Sequence, residues 1–454
     1  MIARSRRRAL GLVAPAVAAV LVMAACSTTG GDNKSAGPVP TLTGNCAQYQ
    51  EFAGHAGTTV TMFASIISPE SDSLQKSWKE FSDCTGIKIS YEGSNDFESQ
   101  LQVRVSGGNA PNLAVIPQPG LLQKMVQTGK VVKPSAKTVE NAGKYWTATW
   151  KNYGTVNGTF YAAPMSANMK SLVWYSPKTF TAAGYKVPTT WDEMMALSNT
   201  IAASGKKPWC GGIGSGTATG WPATDWLEQI VLRTGGGEVY DKWISHEIKF
   251  NSPEILKAMD TVKNWMLNPQ YVNGGFGDVK SIATTTFQDA GKPILTGQCA
   301  MLQQASFYGA QWPKGTKIAS DGDVFAFYLP GIDAKVSTPV VGGGEFITAF
   351  SDKPEVQAFQ TYLTTPGWHT SRIKAATGWV SANQQADKSA YTDPIDQLSA
   401  KYLTDPNATF RFDASDLMPP AVGAGQEWKS MTAWFAEGKS TEQTANDIDA
   451  AWPK

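Results

Sequence analysis

Only three histidines occur in 454 residues, which leaves little for catalysis built on imidazole. His55, His246 and His369 stand in polar or tail-like contexts, and Ser215 lacks a Gly-x-Ser-x-Gly frame, so no nucleophile–base pair is indicated. A phosphate loop of the Gly-x-x-x-x-Gly-Lys type is also missing. Charge is sparse and balanced, with 39 Lys and Arg against 38 Asp and Glu. Beyond the first residues no stretch concentrates Lys or Arg, which argues against a nucleic-acid partner. None of the five cysteines forms a Cys-x-x-Cys pair, so a zinc site is not expected. The one long apolar run, Ala9 to Ala25, is broken by Pro15 and falls short of the ~20 residues that a spanning helix needs.

That run follows Arg4, Arg6, Arg7 and Arg8 and ends at Cys26, the pattern of a signal peptide over residues 1–26. Residues 27–57, opening with Ser, Thr, Gly, Asn and Pro, read as a flexible tether. Four further cysteines, Cys46, Cys84, Cys210 and Cys299, make an even number in an exported chain and predict disulfides. Of the three possible connectivities, Cys46–Cys84 with Cys210–Cys299 keeps each bridge within one predicted lobe. Two lobes are expected because the chain exceeds the size at which a single core keeps growing.

Thr59–Ala64 reads as a strand, followed after Ser68-Pro69 by a helix with Leu74, Trp78 and Phe81 on one stripe and a stop at Gly86. Ile87–Tyr91 alternates as the next strand, which makes a β-α-β unit and hence a parallel sheet. A helix carrying Phe97, Leu101 and Val105 precedes the strand Leu113–Ile116. Ligands of open α/β sheets sit beyond the carboxyl ends of such strands, which nominates residues 65–70, 94–96 and Gln118. Asn157-Gly158 predicts a hairpin turn, and Thr190 to Glu193 a capping box. Three glycines at 342–344 suit a bend or hinge where the backbone rotates, or else a β-bulge.

What the chain does concentrate is a stretch from Trp209 to Glu228, holding Trp209, Trp221 and Trp226, a run of glycines, Asp225 and Glu228. Indole faces offer broad apolar area, small residues let backbone come close, and carboxylates accept hydrogen bonds from hydroxyls, a combination that suits a sugar. The alternative is that these tryptophans fill a core. A second knot, Phe410 to Met418, combines Arg411, Asp413 and Asp416 with aromatics, and offers too few oxygens for calcium. A glycoside hydrolase would need two carboxylates at about 5–9 Å, for which Asp225 with Glu228 or Asp413 with Asp416 are the available pairs.

Val22-Met-Ala-Ala-Cys26 resembles a bacterial lipobox, with Cys26 as the lipidated residue. Together with Tyr161-Ala-Ala-Pro164, Pro188 to Glu193, Thr219-Gly-Trp-Pro222, Gln304-Ala-Ser-Phe307, Gly342 to Gly344 and Ser415 to Pro419, in this order, the chain resembles the family 1 extracellular solute-binding proteins of bacterial ABC importers, nearest to α-glucoside-binding lipoproteins. The resemblance covers nearly the whole mature chain. It implies an α/β, two-lobed, periplasmic-binding-protein-like fold with a ligand cleft between the lobes, lobe 1 being 58–162 with 345–378 and lobe 2 being 163–344 with 379–454. It also implies sugar contacts at Asp96 and Gln118 on one side and at Trp221, Asp225, Gln304, Phe307, Asp413 and Trp428 on the other. Ser166 to Met169 departs from the family pattern, since several maltose binders place an acidic residue there, which argues against maltose. The implied protein is a monomer without catalysis, cofactor or metal. It would be lipid-anchored outside the cell membrane, bind a sugar or oligosaccharide, and deliver it to permease subunits. A secreted hydrolase and an importer protein for a non-sugar ligand such as an amino acid or polyamine are the competing readings.

Overall fold

A computed structural model describes residues 39–273, 277–375 and 377–453. Cys26 and the signal and lipobox stretch lie outside the described residues. Two five-stranded sheets organise the chain. The first has the order Lys88–Gly93, Thr59–Ala64, Leu113–Ile116, Phe346–Ala349, Ala162–Pro164. Its first three strands are parallel, as the β-α-β reading requires, while Phe346–Ala349 runs antiparallel to both neighbours. The second has the order Val272–Asn273, Lys207–Cys210, Cys299–Gln303, Leu172–Tyr175, Phe325–Tyr328.

Strand periodicity of two sends alternate side chains to opposite faces, and each sheet is covered on both. On the first, Val60, Met62 and Val115 enter one core while Phe63, Ala114 and Ile116 enter another. On the second, Val173, Trp209 and Met301 face one core, with Leu172, Trp174 and Leu302 on the other side. The helices Pro354–Tyr362 and Pro366–Ala375 return to the first sheet's core, which also takes Trp379, Val380, Tyr391 and Ala400, past the expected boundary at 378.

Between the sheets lies a short three-stranded one, Thr409–Phe412, Pro339–Gly343, Asn168–Met169. Through it the chain passes from Pro164 of the first sheet to Asn168, and from Gly343 to Phe346. The glycines at 342–344 serve close approach here. None has positive φ, and a β-carbon on Gly344 would lie 2.3 Å from the Ser166 carbonyl oxygen.

Local details follow the sequence with two departures. The helix expected across Leu74, Trp78 and Phe81 is two helices, Glu70–Ser77 and Lys79–Thr85, broken at Trp78, though all three side chains are buried together. Within the stretch 27–57 expected as a tether, Gly44–Phe52 is instead a 3-10 helix whose Tyr49 and Phe52 are buried against Phe81 and Tyr362. Cys46 bonds Cys84 and Cys210 bonds Cys299, with Cα separations of 5.2 and 5.5 Å. Among the described residues no helix is long and apolar enough to cross a membrane.

Candidate functional site

The parallel strands of the first sheet all end at one cleft. Beyond Thr59–Ala64 come Ser65, Ile66, Ile67 and Glu70; beyond Lys88–Gly93, Asn95 and Glu98; beyond Leu113–Ile116, Pro117 and Gln118. Facing them from the second sheet's side are Ser215, Ala218, Trp221, Phe287, Phe307 and Trp428, and the floor holds Asn168, Lys170, Asp413 and Asp416. The space enclosed is about 920 Å³, open mouth included. At the rim the two sides touch: the Thr217 backbone N–H donates to Asp96 Oδ1 at 3.1 Å, and a β-carbon on Gly216, itself at φ +56°, would meet the Asn95 carbonyl oxygen at 2.9 Å.

One wall is aromatic. Trp221 stands edge-on to Phe287 with centroids 5.0 Å apart, and Phe307 lies 6.0 Å from Trp221. These rings present apolar faces to the cleft opposite a polar side. There the buried Gln118 donates from Nε2 to Glu98 at 3.0 Å, while Gln118 Oε1, with Asn168 Oδ1 on the floor and Trp428 Nε1 on the aromatic side, has no protein partner among the described residues. Buried polar atoms are costly unless satisfied, so this set is suited to a ligand's hydroxyls or to water.

The floor is an ionic knot. Lys170 Nζ donates to Asp225 Oδ1 at 2.8 Å and to Asp413 Oδ2, and it lies 5.3 Å from the centre of the Trp221 ring. Asp225, Glu228 and Asp413 have oxygens within 4.8 Å of one another, a cation-holding arrangement, and the cation beside two of them is this ammonium. Burial pulls the Lys170 pKa down, yet Asp225 and Asp413 hold it well above the ordinary lysine value. Asp413 likewise has burial against it but stays below the ordinary carboxylate range. It accepts from Lys170, from the Ser415 hydroxyl at 2.8 Å and from the Asp416 N–H at 2.8 Å. Asp225 accepts from Lys170 but also lies against Asp413, and burial pushes it up to about 8. Burial and nearby Asp413 drive Glu228 and Asp416 well up, and burial does the same to Glu427. Across the cleft, burial lifts Glu70 to about 7 and Glu345 to about 8.

Of the eight residues named from sequence, Gln118, Trp221, Phe307, Asp413 and Trp428 line the cleft. Asp225 is one layer beneath, behind Lys170. Asp96 is at the rim, facing Thr217. Gln304 is buried away from the lining, its Oε1 bonded to the Ala305 N–H at 2.8 Å and its carbonyl to Trp174 Nε1 at 3.1 Å. Trp209 and Trp226 are core: Trp209 packs on Trp265 and donates to Ser198, and Trp226 packs on Phe435. Glu228 is fully buried and accepts from the Ser415 N–H at 3.1 Å. His369 is no tail residue; it is buried with Nδ1 2.7 Å from the Ser381 hydroxyl. Sequence reasoning missed Lys170, Glu98, Asn168 and Glu345. The last three flank recognised strand ends or glycines, but nothing in sequence marks Lys170.

Residues 67–370 match the model of the family described as bacterial extracellular solute-binding protein. The chain is 35% identical over 422 residues to the alpha-glucosides-binding periplasmic protein AglE of Rhizobium meliloti, covering 90% of each. It is also 35% identical over 399 residues to the osmoprotective compounds-binding protein GgtB of Synechocystis sp., covering 87% of this chain and 92% of the relative. Among solved structures it resembles the solute receptor AcbH, described as preferring β-D-galactopyranose, with TM-score 0.74 at 17% identity over 87% of this chain and 98% of the other. A chitin oligosaccharide binding protein gives 0.72 at 18% identity over 87% and 97%. Both likenesses concern the two-lobed fold.

Proposed function

Since the chain belongs to the bacterial extracellular solute-binding proteins, which act with ABC importers, we propose that it captures an α-glucoside between its lobes and presents the closed form to a membrane permease. The observation that carries this reading is a cleft that combines an aromatic wall of Trp221, Phe287 and Phe307 with unpartnered amide and indole polar atoms. Aromatic faces stack on the C–H surface of a sugar ring, while carboxylates, amides and indole N–H groups bond its hydroxyls. The ligand contacts would be Gln118, Trp221, Phe307, Asp413 and Trp428, with Asp225 supporting from beneath. A lipid on Cys26 would hold the body at the outer face of the membrane. The α-glucoside preference rests on the likeness to AglE, which that protein's name records.

Titrating the purified protein with trehalose, sucrose, maltose, galactosides and xylosides, while following tryptophan emission, tests the reading. Trp221 and Trp428 both line the cleft, so closure on a ligand should change emission and saturate, with the strongest response from an α-glucoside and the sugar recovered intact. A micromolar Kd, about −8 kcal/mol, is within reach of a few such contacts. Silence across the whole panel would refute the saccharide reading, and cleavage of the bound sugar would refute the importer reading.

A further inference from the structure

Lys170 is the only cation lining the cleft among the described residues, against Glu70, Glu98, Glu345, Asp413 and Asp416. An ammonium has three N–H donors. Two go to Asp225 and Asp413, and the third has no protein partner among the described residues, although the side chain is buried and lines the cleft. Lys170 is fixed on every side. Gly343 packs against it so closely that a β-carbon there would come 3.2 Å from Lys170 Cε, the Trp221 ring is beside its ammonium, and its carbonyl accepts from Gln303 Nε2 at 2.6 Å.

We propose that Lys170 determines specificity in this cleft: its unused N–H and the adjacent Asp413 carboxylate read one pair of neighbouring hydroxyls on the ligand, and Lys170 holds Asp413 in position to do so. This rests on the saccharide reading above. Neighbouring hydroxyls of a pyranose supply the matching chemistry, one oxygen accepting from the ammonium and the next hydroxyl donating to the carboxylate. Other groups around the ammonium are acidic: Asp225 and Glu228 from the helix Trp221–Ile244, Asp416 beyond Asp413, and Glu345 after Gly344. Without Lys170, Asp413 would be one more buried carboxyl among these, and burial would push it up, weakening its acceptor role. The ammonium therefore has two tasks, as direct donor and as the partner that keeps Asp413 an acceptor.

The test uses whichever of trehalose, sucrose and maltose binds the purified protein best, with its monodeoxy analogues, titrated calorimetrically at pH 6, 7.5 and 9. In the native protein one monodeoxy analogue should bind at least about tenfold more weakly than the parent sugar at each of these pH values, as expected for losing a hydrogen bond to a charged group. Lys170→Met should weaken the parent sugar at least about thirtyfold at pH 7.5, should no longer discriminate that analogue, and should recover part of its affinity at pH 9 as Asp413 ionises. If Lys170→Met does not fold, K170M/D225N removes a carboxylate left without its partner, keeps Asp413, and carries the same expectations. Binding of the parent sugar by the variant within threefold of native would overturn the inference. So would a loss equal at all three pH values with discrimination intact, the mark of a structural role alone. If the native protein binds none of the three sugars, the saccharide reading itself falls and takes this inference with it, a result distinct from failure of the variant.

Discussion

At the scale of single residues, one ammonium serves several buried carboxyls, and that imbalance governs how stability responds to pH. Asp225 is raised to about 8 by burial, against a value near 4 in the unfolded chain. In the folded protein it keeps its proton where the unfolded chain has released it. Its contribution is thus complete below about pH 4 and is lost as pH rises through about 8. Glu70 and Glu345, raised to about 7 and 8, act in the same direction. His369 has the opposite sign: burial lowers it to about 3, so its contribution is complete above about 6.5 and lost as pH falls towards 3. Between pH 6.5 and 8.5 these carboxyls lose protons that the unfolded chain has already released, and the sugar-free protein should become less stable as pH rises. One such group contributes at most about 2 kcal/mol over that span. Urea midpoints at the two pH values measure it, and Asp225→Asn should narrow the difference; identical midpoints in the native protein would show the carboxyls ionised throughout. None of this was legible from sequence, because the partners of Lys170 lie 55 and 243 residues away along the chain. The tryptophans teach a related lesson. Trp209, Trp221 and Trp226 are indistinguishable by type, and only the start of the helix Trp221–Ile244, where the chain leaves the Gly-rich loop, turns one of them to the cleft.

Elements were easier to read than sites, since periodicity is a local property and convergence is not. Leu113–Ile116 stands where apolar spacing puts it, Asn157 and Gly158 both take positive φ in the hairpin turn, and the capping box at Thr190 and Glu193 forms in both directions. The strand-end rule located the cleft's first side for the same reason: parallel strands fix where their following loops must go. What the rule could not divide was ligand contact from lobe contact. Asp96 follows the strand Lys88–Gly93, as a ligand residue would, yet its carboxylate bonds the backbone of Thr217 on the opposite side. Such a bond should act on closure. Asp96→Ala removes one hydrogen bond worth about 0.5–1.5 kcal/mol, or about two- to tenfold in affinity. Stopped-flow fluorescence should show this as faster dissociation, with the ranking of sugars unchanged. A changed ranking would mean that Asp96 touches the sugar directly.

For the whole molecule, the cleft lies apart from the start of the described chain. Among the described residues every cleft-lining one lies at Ser65 or beyond, and the first to fold into the body are Gly44–Phe52, with Tyr49 and Phe52 buried and Cys46 bonded to Cys84. A disulfide of this kind, closing a loop of 38 residues, typically stabilises by about 2–4 kcal/mol, enough to keep the start of the body attached if the segment before it is pulled or cut. Anchoring and capture should therefore be independent. If Cys26 carries the lipid, Cys26→Ala should move the protein from the membrane fraction into the medium, because one change removes the whole apolar anchor. Sugar affinity and urea midpoint should stay at the native values, since no cleft residue and neither disulfide is altered. Fractionation after a non-ionic wash, followed by titration of the released protein, measures both. Variant protein still in the membrane fraction would place the anchor elsewhere, and released protein with weakened sugar binding would show that the anchoring segment takes part in closure.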